Sequence, residues 1–325
     1  MNCFTKKISA LTKYHYIWLF NQRNMKVSRR RFIGTAAAGI GAMALDFRFA
    51  EATPAAAGNH DPYEMVHLGK TGIIATRLCM GTGMRGGNRQ SNLARMGYDE
   101  GVKLVRDLYR RGIRMFDLAD LYGTHAIVSD ALKAYPRKDY VLFTKLWFMR
   151  GGLPEAERPD AETVVMRFLR ELQTDYIDGV QLHCVTSANW NTELSDYMTS
   201  LDKLKQKGMI RSHGLSCHSL PTMKTAVSET WVDTIHVRIN SYGPKMDDSV
   251  ENVEPVVRQL HQNGKGVIAM KILGEGTLAG SDEQKDNSFR YVLQLGAVDV
   301  LNIGMEKTGD IIDNESRIRK VPVRN

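Results

Sequence analysis

Between Arg77 and Arg317 the chain repeats one pattern eight times: a short apolar run, then a longer amphipathic stretch. Runs such as GVIAM (from Gly266) and VDVLNIG (from Val298) show no polar alternation, as expected of parallel strands covered on both faces. The intervening stretches follow a helical period. Tyr98 to Arg111 sets Val102, Leu104, Val105, Leu108 and Tyr109 on one face, and Gly112 stops it. Further helices are predicted over 127–135, 161–172, 194–207, 222–229, 250–263, 282–295 and 308–317. Strands are predicted near 77–83, 114–118, 140–145, 176–183, 210–216, 234–240, 266–271 and 299–304. Eight strand–helix units predict a single-domain α/β fold, the (β/α)8 TIM barrel, rather than an open doubly wound sheet. A hairpin turning at Lys70-Thr71-Gly72 is expected ahead of the first barrel strand.

Polar residues mark where the apolar runs stop. RMFDLADLYG, from Arg114 to Gly123, ends its strand in a carboxylate, Asp117, with Tyr122 five residues on in the loop. VLFTK stops at Lys145, and GVQLH stops at His183. In a parallel barrel these strand ends converge on one face, where such folds keep their chemistry. Singly, each residue has a plainer use: a cap, packing, a solvated strand end, a core histidine. Four in chain order resemble the catalytic tetrad of the aldo-keto reductases. TKLW, which carries Trp147, matches the family's lysine strand and the aromatic beside its substrate pocket. The resemblance runs from about Tyr63 to Asn314.

That resemblance implies NAD(P)H-dependent reduction of an aldehyde or ketone, or the reverse oxidation of an alcohol. Tyr122 would be the general acid and base. An unperturbed phenol has a pKa of about 10. Lys145, held by Asp117, is expected to lower it, and His183 to orient the carbonyl. Met84 and Trp147 are the expected substrate contacts.

For the cofactor, the expected contacts begin at Thr82 and Gly83, in the glycine-rich close of the first strand. Ser216 in RSHGLS resembles a nicotinamide ligand, although Cys217 stands where asparagine is usual. His236 in IHVRIN takes the place of a glutamine that touches the same ring, and Met270 replaces a stacking aromatic. Lys271, Leu273 and Gly274 match the loop over the pyrophosphate, while Gly304 and Asn314 lie in a segment resembling the adenosine end. Asp310, where NADP-using members commonly carry arginine, would repel a 2′-phosphate, and Lys307 stands near to offset it. NADP and NAD both stay open. No G-x-G-x-x-G turn is present, and the four cysteines show neither C-x-x-C spacing nor a metal-like cluster with histidine.

The formal charge of +8 sits mostly in the first 52 residues, and without them 35 basic face 34 acidic residues. Nucleic acid is therefore not an expected partner. Ser28-Arg29-Arg30-Arg31-Phe32 resembles the twin-arginine export signal, followed by a mild apolar run to Leu45 and an expected cleavage site at Ala50-Glu51-Ala52, with Ala55-Ala56-Ala57 as the second choice. That run is too short to anchor the chain in a bilayer. The expected organisation is a signal segment over 1–52 (its true start at Met25 or upstream), a linker over 53–62 and a barrel over 63–325. Folded export by the twin-arginine machinery would place the protein in the periplasm or outside the cell. Two competing readings share the barrel. One is a non-catalytic NAD(P)-binding regulator, like the potassium-channel beta subunits. The other is a sugar isomerase or lyase.

Overall fold

Ten strands form two sheets in the computed structural model, which describes residues 58–324. The predicted signal segment and residues 53–57 of the linker lie outside the described residues. β1 (Met65–His67) and β2 (Ile74–Thr76) make the expected hairpin. The others are β3 (Leu78–Gly81), β4 (Met115–Asp117), β5 (Val141–Leu146), β6 (Ile177–Val185), β7 (Ile210–Cys217), β8 (Thr234–Arg238), β9 (Gly266–Met270) and β10 (Val300–Gly304). They pair in parallel in chain order, and β10 closes on β3 with Gly304 opposite Gly81. The barrel is the predicted (β/α)8 fold.

Local chemistry sets the helices between them. Tyr98–Arg111 buries Leu104, Val105, Leu108 and Tyr109, carries acids in its first turn and arginines in its last, and ends on Gly112 in a positive-φ conformation. Ala161–Leu172 starts where the Asp160 carboxylate accepts from Thr163 N at 2.8 Å. Two helices of four residues, Asn92–Arg95 and Trp190–Glu193, stand in stretches read as loop, too short to show a period. Residues 58–60, assigned to the linker, are already tied to the barrel body. His60 N donates to Val321 O at 2.9 Å, and Val323 N to Gly58 O at 2.9 Å.

The barrel interior is layered. Leu68, Ile73, Cys79, Met115, Phe143, Ile268 and Val300 fill its lower half. The hairpin plugs the floor, where Gly69 N donates to Asp299 Oδ2 at 3.2 Å and Lys70 N to Gly264 O at 2.9 Å. Side chains on a strand face alternate sides, so the inward residue above each of these plug residues lies two positions on. Those positions are Gly81, Asp117, Lys145, Met270 and Asn302. The apolar plug thus fixes which side chains reach the upper mouth.

Candidate active site

Asp117 is the last residue of β4 and Lys145 the fifth of β5, and both are almost fully buried. Lys145 Nζ donates to Asp117 Oδ1 and, at 3.1 Å, to the Leu118 carbonyl. Asn302 Nδ2 donates to the other Asp117 oxygen at 2.7 Å. Burial alone would raise the Asp117 pKa; the charge of Lys145, with the His236 ring beside the carboxylate, overcomes it and holds the carboxyl well below the usual range.

Tyr122 ends a single 3-10 turn, Asp120–Tyr122, which Gly123 closes in the left-handed region. Gly83 and Gly86 leave room for the ring, since a methyl on either would overlap it. The phenol lies 3.3 Å from His183 Nε2, with the two rings edge to face. Trp147 packs edge-on against the other side of His183, ring centroids 5.6 Å apart, and its indole N–H donates to Gly151 O at 2.7 Å. His183 Nδ1 is buried and has no partner among the described residues.

The expected coupling of Lys145 to the phenol is corrected here. Lys145 Nζ sits 5.4 Å from the centroid of the Tyr122 ring, and its hydrogen bonds go to Asp117 and the Leu118 carbonyl. Burial first, then the Asp117 charge, push the Tyr122 pKa well above its ordinary value. The resting phenol is therefore protonated. Burial first, then Lys145, push the His183 pKa down, so its imidazole is neutral.

A cavity of about 720 Å³ runs from these four residues toward Glu306, Lys307, Asp310 and Asn314. Its volume is in the range of small-molecule sites. Of the expected contacts, Gly83, Met84, Ser216, Met270, Lys271, Leu273, Gly304 and Asn314 line it. Four others do not. Thr82 is turned away, its hydroxyl donating to Asp117 O at 2.9 Å and meeting Thr124 Oγ1 at 2.9 Å. Gly274 is buried in the turn behind the wall, at φ +55. Trp147 does not line the cavity, and its ring packs against His183 instead. His236 is enclosed in the barrel below the cavity, because its position on β8 leaves it level with Gln181 and facing Asp117. Asn302, which is not among the expected site residues, lines the cavity and holds Asp117.

Cys184 also lines the cavity, at a register shift in β6 that leaves it at φ +57. Its thiol lies 3.4 Å from His218 Nε2. Burial pushes that thiol up to about 11, against the pull of Lys145 and Lys271. Burial, then Arg238 and Lys271, push His218 down to about 3.

His183, His218 and His236 thus share one consequence, since burial lowers all three below the ordinary histidine value. As pH falls below about 6.5, the unfolded chain takes up protons that the native state refuses. Stability is full above that pH and declines toward about pH 3, where His218 titrates in the fold. Urea unfolding followed from about pH 7 down to about pH 4 is expected to show this loss, and a flat profile would contradict the neutral assignments.

The family model for the aldo/keto reductase family matches residues 77–302. L-galactose dehydrogenase of Arabidopsis thaliana is 28% identical over 221 residues, which are 66% of this chain and 67% of that protein. Aldo-keto reductase YhdN of Bacillus subtilis is 28% identical over 259 residues, 74% of this chain and 75% of that protein. The holo form of an aldo-keto reductase from Bacillus halodurans superposes with a TM-score of 0.64 at 20% identity, covering 80% of this chain and 92% of its own. Among the described residues no three potential ligand side chains gather into a metal site, and no helix is long and apolar enough to cross a membrane.

Proposed function

The chain belongs to the aldo/keto reductase family of NAD(P)-dependent oxidoreductases, and on that premise we propose that it reduces an aldehyde or ketone with Tyr122 as the general acid. The observation that carries this reading is the meeting of Tyr122 and His183 at 3.3 Å over the buried Asp117–Lys145 pair.

The cavity wall suits a dinucleotide. Lys271, Lys285 and Lys307 offer ammonium groups for a pyrophosphate, Met270 offers a flat apolar contact, and Ser216 a hydroxyl. The bound nicotinamide would supply the hydride. The chain's part is acid, geometry and charge. A carbonyl oxygen placed between the Tyr122 hydroxyl and an Nε2–H of His183 would meet two donors. As negative charge gathers on that oxygen the phenol gives up its proton, and the Lys145 ammonium, 5.4 Å from the ring centroid, would act on the phenolate through space and not by a hydrogen bond. Asp117 keeps Lys145 in place, and the ion pair prevents a lone buried charge from destabilising the mouth of the barrel.

The same proposal extends to location. The Ser28–Phe32 motif supports export by the twin-arginine route, with cleavage after Ala52 and the mature barrel in the periplasm or outside the cell. A sugar-derived carbonyl is the substrate class to test first, because L-galactose dehydrogenase is among the similar proteins.

Thermal shift with NAD, NADP and their reduced forms, followed by carbonyl-dependent NAD(P)H oxidation, tests the reading. A cofactor at about 100 times its Kd is expected to stabilise the native state by about 2.7 kcal/mol. Oxidation should then depend on added carbonyl, with the mature protein recovered from the envelope fraction. Stabilisation without turnover would favour the regulatory barrel, and no stabilisation by any of the four would sink the reading.

A further inference from the structure

Below the cavity, out of its reach, lies a polar chain that the proposed acid chemistry does not itself employ. His236 projects from β8 into the barrel interior and is fully buried, as are Gln181 and Thr234. His236 Nδ1 lies 2.6 Å from Gln181 Oε1, and Gln181 Nε2 lies 2.9 Å from Thr234 Oγ1. On the other side of the ring, Nε2 lies 3.3 Å from Asp117 Oδ1 at an angle too bent for a hydrogen bond, and it has no hydrogen-bond partner among the described residues.

The donor inventory decides how this chain is wired. An ionised carboxylate only accepts, so the nitrogen facing Asp117 must carry a hydrogen. If the ring is neutral, Nδ1 then accepts and needs a donor. Gln181 provides one by a half-turn of its amide, which presents NH₂ to His236 and the oxygen to the Thr234 hydroxyl. The two ends of an amide are nearly the same size, so the turn displaces no neighbour. The other wiring needs a fully buried imidazolium beside Lys145. Burial and the Lys145 charge oppose it, although Asp117 favours it.

We propose that His236 is a positioning residue: a neutral Nε2–H donor, oriented by Gln181 and Thr234, that fixes the Asp117 carboxylate so that Lys145 stays beside Tyr122. Asp117 would then be held from three elements, by Lys145 of β5, Asn302 of β10 and His236 of β8. The inference rests on the reductase reading only in what Lys145 is positioned for; the wiring itself stands apart from it.

Two measurements test it. In the cofactor-free protein, side-chain nitrogen NMR of labelled histidine, assigned by the signal lost in His236→Gln, should show a neutral Nε2–H tautomer at about pH 7. An Nδ1–H tautomer or an imidazolium there overturns the wiring. In turnover, His236→Leu should lower kcat on the order of 10- to 100-fold, the cost of a misplacement of about 1 Å, with cofactor Kd and carbonyl KM within about twofold of wild type. His236→Gln keeps an N–H donor without a titrating ring and should recover most of that loss. An unchanged kcat in His236→Leu, or a loss that glutamine does not relieve, overturns the positioning role. Failure of the wild type to turn over any carbonyl would instead remove the reductase reading, and the NMR result would still judge His236. If His236→Leu does not fold, the tautomer and the His236→Gln rate decide the matter.

Discussion

Tyr122→Phe is expected to lower kcat for carbonyl reduction by about 10²- to 10⁴-fold, the range for loss of a positioned general acid. At 1.36 kcal/mol per decade this is about 2.7 to 5.4 kcal/mol of transition-state stabilisation. The substitution is clean because it keeps the ring, which packs against Gly83 and Gly86 and lies edge to face with His183, and removes only the hydroxyl. Cofactor affinity should therefore stay within about twofold, since an interaction made mainly in the transition state leaves binding untouched. Calorimetric cofactor titration beside saturating-carbonyl kinetics makes the comparison. Equal rates in both proteins would remove Tyr122 from the mechanism. A loss confined to binding would assign it to the cavity wall instead.

Lys145→Met should cost about 3 to 5 kcal/mol of folding stability as well as activity, because it strands the Asp117 carboxylate in the barrel interior. Asn302 and His236 would be its remaining donors. Adding Asp117→Asn to Lys145→Met removes the stranded charge and should return stability to within about 2 kcal/mol of wild type, while activity stays lost. The pH dependence has a definite sign. The folded Asp117 pKa lies below its unfolded value of about 3.9, so its contribution is full above that pH and is lost as pH falls through the folded value. In Lys145→Met the acid loss should begin at higher pH, because the first opposing charge is gone. Urea unfolding of the two variants across the acid range checks both statements. A single variant as stable as wild type would mean that the carboxylate finds another partner.

Much of the architecture was legible because parallel strands buried on both faces leave apolar runs, and because helices between them keep a period. The strand ends were legible for the same reason: a polar residue closing an apolar run has few places to go in a closed barrel. Depth inside the barrel was not legible. His236 and Ser216 are register partners on neighbouring strands, yet Ser216 lines the cavity and His236 lies under it. Strand tilt decides that difference, and tilt depends on the stagger of all the strands together. Asn302 was missed because its bond to Asp117 spans 185 residues, and only closure of the first strand on the last creates it. The Tyr122 pKa, expected to fall beside Lys145, rises instead, because chain order shows which groups are near one another but not how dry their surroundings are.

Closure of β10 on β3 also sets a clock on biosynthesis. The strand that completes the ring, and the amide that completes the shell of Asp117, leave the ribosome after the other seven barrel strands. A nascent polypeptide arrested before Asn302 has an open sheet with two exposed edges and an unfinished catalytic centre. Translation must then pass Asn302 before any molecule becomes competent, and the unfinished intermediate is the form most in need of a chaperone.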